Sequence, residues 1–271
     1  MNDIRPAAVA GMFYPGDAPT LQTDVATMLA EARTLGDADS PQPKALIVPH
    51  AGYVYSGPVA AHAYARLYPW HSAIRRVVMF GPAHRVAVRG LALPVARAFA
   101  TPLGEVELDA EAMACARRLP RVIESISTHA LEHALEVQLP FLQSVLDRFT
   151  LVPFVVGQAS PEEVAEVIDL LWGGGETLIV ISSDLSHYHP YREAQDIDRR
   201  TAGAILALDS DLHHEQACGA TPVAGLMVAA RRRGLVPKLL DLRNSGDTAG
   251  DRSRVVGYGA FALFEDAVHV H

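Results

Sequence analysis

KALIVPHAGYVYSG, the stretch at residues 44–57, places a polar loop directly after a short apolar run. Residues 44–48 predict a buried strand, and the Ala-rich segment 58–67 predicts the helix that follows the loop. In open α/β sheets, chemistry is carried by loops at the carboxyl ends of the strands. His50 stands in such a loop, so this stretch predicts both a fold class and one edge of a functional site.

The rest of the chain repeats this alternation. Apolar runs predict further strands at 76–80, 90–95, 150–156, 177–181, 237–242 and 254–264. Helical spacing and helix-start signals predict helices at 18–34, 110–118, 131–147, 161–172, 190–208, 211–217 and 221–233. Strands that alternate with helices indicate an α/β protein with helices on both faces of a mostly parallel sheet. The length of 271 residues suits one large α/β domain or two small ones; with no linker or repeat visible, we expect a single domain over residues 1–271.

Composition excludes several functional classes. The formal net charge of −8 and the lack of a basic stripe argue against a nucleic-acid binder. No apolar run approaches the ~18 residues of a membrane span, and the N-terminus lacks the apolar core of a signal peptide. The two cysteines lie far apart in the sequence, which argues against a disulfide framework. A cytoplasmic protein that binds neither nucleic acid nor membrane is therefore expected.

Three predicted strands end in residues that can carry chemistry. His50 follows the first, GPAH (81–84) brings His84 after the second, and SSDLSH (182–187) brings Asp184 and His187 after another. The carboxyl ends of parallel strands share one edge of a sheet, so these side chains are expected to converge. Two imidazoles and a carboxylate can hold iron(II), and a similar set can hold zinc for hydrolysis. The alternative is that each is only a loop or helix-capping residue.

Two further segments are candidates for the same site. In EHALEVQLP (132–140), Glu132 and His133 either support or line the site from a helix start or lie on the plain surface. In RNSGDTAGD (243–251), Asp247 or Asp251 is either a third metal ligand or part of a long turn. Tyr53 and Tyr55 either form a pocket wall or serve packing.

Taken together, PHAGYVYSG, GPAH, EHALEVQLP and SSDLSH resemble the Memo family, whose bacterial and archaeal members include AmmeMemoRadiSam system protein B. The resemblance extends from residue 5 to residue 260. It implies a three-layer α/β/α sandwich similar to the class III (LigB-type) extradiol dioxygenases, which use non-haem iron(II). It also implies that His50 and His84 bind the metal and that His187, beside Asp184, acts in acid–base catalysis. Animal members have a cysteine near the C-terminus as a further ligand.

No cysteine occurs in residues 244–251 of this chain, so Asp247 is the predicted third ligand in its place. The leading hypothesis is then a metal-dependent, oxidoreductase-like enzyme, with iron(II) favoured and copper or zinc as alternatives. His187, Asp184 and His133 are its predicted catalytic residues. Glu132, Tyr53 and Tyr55 are predicted to contact or support a small substrate.

Two other hypotheses remain open. One is a binding or accessory module whose strand-end cleft holds a small-molecule or peptide ligand, and which works with a radical-SAM protein and an AMMECR1-like protein, as the resemblance implies. The other is a zinc-type metal hydrolase.

Overall fold

The computed structural model describes residues 3–33 and 41–265. The strands are β1 (Ile4–Arg5), β2 (Pro43–Val48), β3 (Arg76–Pro82), β4 (Leu91–Leu93), β5 (Ala98–Thr101), β6 (Gly104–Glu107), β7 (Val122–Glu124), β8 (Thr150–Val156), β9 (Thr177–Ser182), β10 (His187–His189), β11 (Val236–Asn244) and β12 (Val255–Phe264). The α-helices are α1 (Ala18–Arg33), α2 (Tyr53–Tyr64), α3 (Ala110–Ala116), α4 (Ile126–Ala130), α5 (Leu139–Val145), α6 (Pro161–Leu170), α7 (Tyr191–Leu206), α8 (Ala220–Arg233) and α9 (Ser245–Thr248). Short 3-10 helices lie at Ala65–Trp70 and Glu136–Gln138.

Four parallel strands form the centre of the main sheet, in the order β2-β9-β3-β8. Their register places Ile181 of β9 between Ile47 of β2 and Phe80 of β3. Strands β2 and β9 are buried at every position, and β3 and β8 at all but the first. Such continuous apolar runs arise when both faces of a sheet are covered. The apolar pattern of the sequence therefore predicted this central part correctly.

The edges of the main sheet are mixed. Strand β12 pairs antiparallel with β2, with β11 and, near its start, with β10. At the opposite edge, β4 runs antiparallel to β8 and parallel to β7. A second small sheet, which the sequence did not predict, has the order β1-β5-β6. The predicted parallel arrangement thus holds for the centre, and antiparallel and parallel pairings are mixed outside it.

Helices cover both faces of the main sheet. Helices α1, α2 and α5 pack together, and α2 lies against β2, β11 and β12. Helices α6 and α8 pack on each other, and α8 lies against β3 and β9. The α/β class and its layered arrangement are therefore confirmed. Among residues 3–33 and 41–265, none of the helices combines the length and apolar character needed to cross a membrane.

Two predicted helices are wrong in part or in whole. The segment predicted as one helix at 131–147 is instead an irregular turn, the 3-10 helix at Glu136–Gln138 and α5. The segment predicted as a helix at 211–217 contains only turns. Pro140 marks the start of α5, where a missing backbone N–H has no cost.

The irregular course of residues 126–138 is fixed by a buried ion pair. Glu136 is fully buried, and its carboxylate receives the Arg5 guanidinium at 2.6 Å. The same carboxylate accepts from the N–H groups of Ala8 and Val9 and from the Tyr14 hydroxyl. Four donors satisfy the buried charge. If Glu136 lay on the exposed surface of a helix, water would solvate its carboxylate and these donors would not be needed. The network ties the N-terminal segment to the loop before α5.

The side chain of Arg5 also bonds the backbone of this loop. Its Nε donates to the carbonyl of His129 at 2.6 Å, and its Nη2 donates to the carbonyl of Glu132 at 2.7 Å. The ring of His129 in turn bonds the carbonyl of Ala92 in β4 at 2.8 Å. These contacts fix the position of residues 129–132 relative to the main sheet.

Replacing Glu136 with Gln should lower the free energy of unfolding by about 3–5 kcal/mol, because the buried Arg5 charge loses its partner. The matched control is Glu124→Gln, which removes one partner of the exposed Arg117–Glu124 pair and should cost under about 1 kcal/mol. Urea unfolding of the two variants measures both values. Equal losses in the two variants would contradict a structural role for the buried pair.

A second prediction concerns acid stability. Burial, assisted by the Arg5 charge, lowers the pKa of His129 to about 4, against about 6.5 in an unfolded chain. Between these values the unfolded state binds a proton that the native state does not, so this residue makes stability fall as the pH falls from 6.5 toward 4. In His129→Gln, that contribution of up to ~1.4 kcal/mol per pH unit should disappear. Urea unfolding at pH values across this window tests this, and an unchanged slope in the variant would refute it.

Candidate metal centre

Three histidines converge at the carboxyl edge of the central strands. One ring nitrogen each from His50, His84 and His133 lies within 4.8 Å of the other two. His50 follows β2, and His84 follows β3. His133 lies in the turn between α4 and the 3-10 helix at Glu136–Gln138. The parallel sheet supplies two of the three rings, and the loop held by Glu136 supplies the third.

The surroundings of His50 fix its tautomer. Its ring is buried, and Nδ1 lies 2.9 Å from the Ser182 hydroxyl. That hydroxyl donates its hydrogen to the carbonyl of Ala134 and accepts from the amide of Gln138. It can therefore only accept from His50, so Nδ1 carries the proton and Nε2 keeps its lone pair. Burial, and then the neighbouring His84, lower the pKa of His50 to about 3, so the ring is neutral at pH 7.

His84 is held by a carboxylate. Its backbone N–H donates to Glu132 at 2.7 Å, and its Nδ1 lies 2.9 Å from the other oxygen of the same carboxylate. Burial alone would raise the pKa of Glu132, but hydrogen bonds from His84 and Ala134 outweigh it and lower that pKa to about 2. The ionised Glu132 accepts a hydrogen bond from Nδ1–H, which leaves the Nε2 lone pair of His84 free. A carboxylate behind a histidine is the usual support of a metal-binding imidazole.

The third ring, His133, stacks on His84 at a centroid distance of 4.6 Å and meets His50 edge-on at 5.4 Å. Its Nδ1 is buried and has no hydrogen-bond partner, although Glu132 lies 3.4 Å away. Burial, and then the His50 ring, lower the pKa of His133 to about 4. A buried nitrogen without a hydrogen-bond partner costs free energy. A cation bound by this nitrogen would remove that cost.

The three residues fit a divalent metal. Two of the rings present lone pairs fixed by their neighbours, and the third has an orphaned buried nitrogen. Imidazole is a ligand for zinc, copper and iron alike, so the donor set defines a metal site without selecting the metal. Because His50 and His133 are already neutral at pH 7, neither must release a proton before binding.

A pocket of 640 Å³ opens over this centre. Of the predicted catalytic residues, His187 and Asp184 line it together with the three histidines, and Tyr55 contributes to its wall. The Nδ1 of His187 bonds the carbonyl of Leu185 at 2.8 Å. A carbonyl only accepts, so Nδ1 is protonated and Nε2 is the basic nitrogen.

Asp184 is buried and accepts the backbone N–H of His50 at 2.7 Å. Burial raises its pKa, and the hydrogen bond from His50 only partly opposes that effect. Its carboxyl therefore both positions the loop that carries His50 and contributes an acidic group to the pocket.

Two predicted site residues lie elsewhere. Asp247 is exposed and is not part of the histidine group. One of its oxygens accepts the Tyr191 hydroxyl, and the other accepts the backbone N–H of Asn244 in a capping box at the start of α9. Tyr53 is buried, and its hydroxyl donates to the carbonyl of Val137. Helix capping and core packing account for these two side chains, and His133 occupies the third position predicted for Asp247.

Several residues of the site were not predicted. Ser182 and Gln138 set the tautomer of His50, and their only signal in the sequence is that they lie within SSDLSH and EHALEVQLP. The thiol of Cys218 lies 3.2 Å from the Nε2 of His50. Burial raises the pKa of Cys218 to about 12, so the thiol is protonated; its hydrogen can go to that nitrogen or to the carbonyl of Asp184, and a metal on Nε2 would leave it the carbonyl. Cys218 lies in the turn before α8, far from His50 in the sequence, and no motif around it indicates this contact.

Fold and site together define an α/β protein with a three-histidine candidate metal centre at the carboxyl ends of its central strands. The chain belongs to the Memo-like protein family, whose match covers residues 5–262. It is 35% identical to a MEMO1 family protein of Methanopyrus kandleri, over 96% of this chain and 98% of that protein. It is 36% identical to a MEMO1 family protein of Ignicoccus hospitalis, over 95% and 97% respectively. The predicted family membership is therefore confirmed.

A solved structure shares the fold. The crystal structure of an uncharacterized protein from Escherichia coli K12 aligns with a TM-score of 0.56, covering 81% of this chain and 99% of that chain. The two sequences are 12% identical, so this likeness bears on the architecture alone.

Substitutions of His133 and Asp247 should have different effects on the affinity for a metal. His133→Ala should weaken the affinity for zinc(II) by about 100-fold or more, because one of three ligands is lost. Asp247→Asn should change it by less than about 3-fold, because the residue serves a helix cap. Competitive zinc titration measures both, with circular dichroism as the check on folding. A larger effect of Asp247→Asn would restore that residue as the third ligand.

Proposed function

We propose that this protein is a metal-dependent enzyme that acts on a small substrate in the pocket over His50, His84 and His133. The observation that carries the proposal is the juxtaposition of three convergent imidazoles with a separate histidine, His187, in one pocket. A metal site and an independent acid–base group within one cavity are the minimum for metal-assisted chemistry.

A bound divalent metal would supply Lewis acidity and, as iron(II), redox capacity. The residues of the chain supply the rest. His187 takes a proton from a substrate hydroxyl through Nε2, and its Nδ1–H bond to Leu185 stabilises the ring in the orientation and tautomer that this requires. Glu132 and Ser182 keep the rings of His84 and His50 directed at the centre.

The substrate is a small molecule with an apolar body. The pocket volume of 640 Å³ lies within the range of small-molecule sites. Phe13, Tyr55 and Val256 form apolar parts of its wall. Phe13 also packs against His133 at a centroid distance of 4.7 Å, which limits access of water to that side of the centre.

Iron(II) and an oxidative reaction are the favoured assignment. Support comes from the resemblance to the extradiol dioxygenases, in which a histidine in the position of His187 acts in acid–base catalysis. In this assignment His187 ionises a hydroxyl of an aromatic substrate while the three histidines hold the metal beside it.

Zinc-type hydrolysis is the second candidate, and one observation favours it. The ligand set contains three neutral imidazoles and no carboxylate, which is a set that catalytic zinc sites use. A neutral set leaves the full charge of the dication available to acidify water.

Anaerobic loading with iron(II), followed by oxygen-uptake measurements with a series of catechols, tests the first assignment. We expect substrate-dependent uptake by the native chain and a loss of about 100-fold or more in His187→Ala, in the range of general acid–base catalysis. The variant should retain the native iron content, because His187 is not among the three ligands. Loss of iron together with activity would instead make His187 a ligand.

Other outcomes select the alternatives. Ester hydrolysis by the zinc-loaded protein, without oxygen uptake by the iron-loaded protein, would favour the hydrolase. Full metal loading without either activity would favour a binding or accessory module working with partners such as the radical-SAM and AMMECR1-like proteins. No metal above background in the native chain would refute both enzyme assignments.

A further inference from the structure

The pocket over the three histidines has two cationic side chains in its lining although the chain is acidic overall. Its lining includes two arginines, Arg85 and Arg254, and a single carboxyl group, that of Asp184. The whole chain carries a formal charge of −8. Cationic side chains concentrated in one cleft of an anionic protein attract anionic ligands and raise their local concentration.

Nine of the other nineteen arginines, all within the described ranges, are engaged with carboxylates. Ion pairs are formed by Arg5, Arg76, Arg97, Arg117, Arg121, Arg199, Arg232, Arg233 and Arg243. No carboxylate pairs with Arg85 or Arg254 among the described residues, and both side chains are exposed to the pocket. Their guanidinium groups are therefore available to a ligand.

Arg254 is held in place by an aromatic ring. Its Cζ lies 5.2 Å from the ring centroid of Tyr188, within the range of a cation–π contact. Tyr188 has a φ of 62°, in the left-handed region that side chains other than glycine rarely adopt. This strained residue directly follows His187. Backbone strain of this kind persists where the surroundings fix it, and it concentrates at functional sites.

Arg85 lines the same pocket as Arg254. It directly follows His84, whose backbone and ring are both fixed by Glu132. The apolar side chains of Phe13, Tyr55 and Val256 line the same pocket. The pocket therefore combines two cationic forks, an apolar wall and the histidine centre.

We propose that Arg85 and Arg254 form a carboxylate-binding subsite, so that the substrate of this pocket is a small aromatic acid. This proposal rests on the metal-dependent function proposed above and adds the substrate class. Planar guanidinium groups bind carboxylates through paired, charge-assisted hydrogen bonds. The guanidinium groups of Arg85 and Arg254 lie at the pocket surface, whereas the ionised Glu132 is buried behind His84, so a substrate carboxylate can pair with the guanidinium groups directly. The aromatic body then lies against Phe13 and Tyr55.

The test is calorimetric binding to the full chain, both metal-free and loaded with zinc(II), which avoids redox turnover. The probes are para-hydroxybenzoate, its neutral isostere para-hydroxybenzamide, and phenyl phosphate. The benzoate should bind at least about 10-fold more tightly than the benzamide, as a charge-assisted hydrogen bond predicts. Phenyl phosphate should bind no more tightly than the benzoate.

Substitutions test whether Arg85 and Arg254 are responsible for the tighter binding of the benzoate. Arg85→Gln and Arg254→Gln should each weaken benzoate binding about 10-fold and leave benzamide binding unchanged. Arg118→Gln is the matched control, since this exposed arginine follows α3 and does not line the pocket. Tyr188→Leu should reproduce part of the Arg254→Gln effect, and Tyr188→Phe should restore native binding because the ring that supports Arg254 remains.

Equal binding of the benzoate and the benzamide, or equal effects of Arg118→Gln and the two pocket variants, would overturn the subsite. Tighter binding of phenyl phosphate would overturn the assignment to carboxylates. Zinc stoichiometry in the same samples separates the two proposals. Metal binding without selectivity for the benzoate refutes the subsite alone, whereas selectivity without metal binding refutes the metal-dependent function alone.

Discussion

The buried pair of Arg5 and Glu136 is the interaction on which the rest of the site depends. A fully buried carboxylate must be satisfied by several donors, and here an arginine, two backbone N–H groups and the Tyr14 hydroxyl supply them. These bonds pull the N-terminal segment over the loop that ends at Gln138. That loop carries His133, Glu132 and Gln138, which respectively complete, support and orient the histidine centre.

The centre is then organised by hydrogen bonds around it. Ser182 can only accept from His50, and ionised Glu132 can only accept from His84, so both rings present the same nitrogen inward. Low dielectric surroundings keep His50 and His133 neutral. The protein thus prepares a set of ligands before any metal arrives, and leaves His187 as a separate base.

Much of this could be predicted from the strand-end rule. The apolar runs before His50, His84 and Asp184 are continuous enough to identify central strands, and parallel strands bring their ends together. Position alone therefore predicted that His50, His84, Asp184 and His187 share one pocket. The same rule could not place His133, because it lies in a loop whose apolar spacing imitates a helix. The prediction of Asp247 rested on the family resemblance and not on this rule, and in the structure its carboxylate has partners in its own capping box and in Tyr191.

The sequence by itself determined the α/β class, the central strands and the family, because apolar periodicity and long ordered motifs are local properties of the chain. The tertiary structure alone decided which residue is the third member of the histidine centre, which nitrogen of His50 and of His84 keeps its lone pair, and which arginines line the pocket without a carboxylate partner. These depend on contacts between segments far apart in sequence, such as Arg5 with Glu136 and Ser182 with His50. Burial makes such contacts necessary, because a buried polar group without a hydrogen-bond partner costs free energy. The local sequence pattern does not identify which distant residue is the partner.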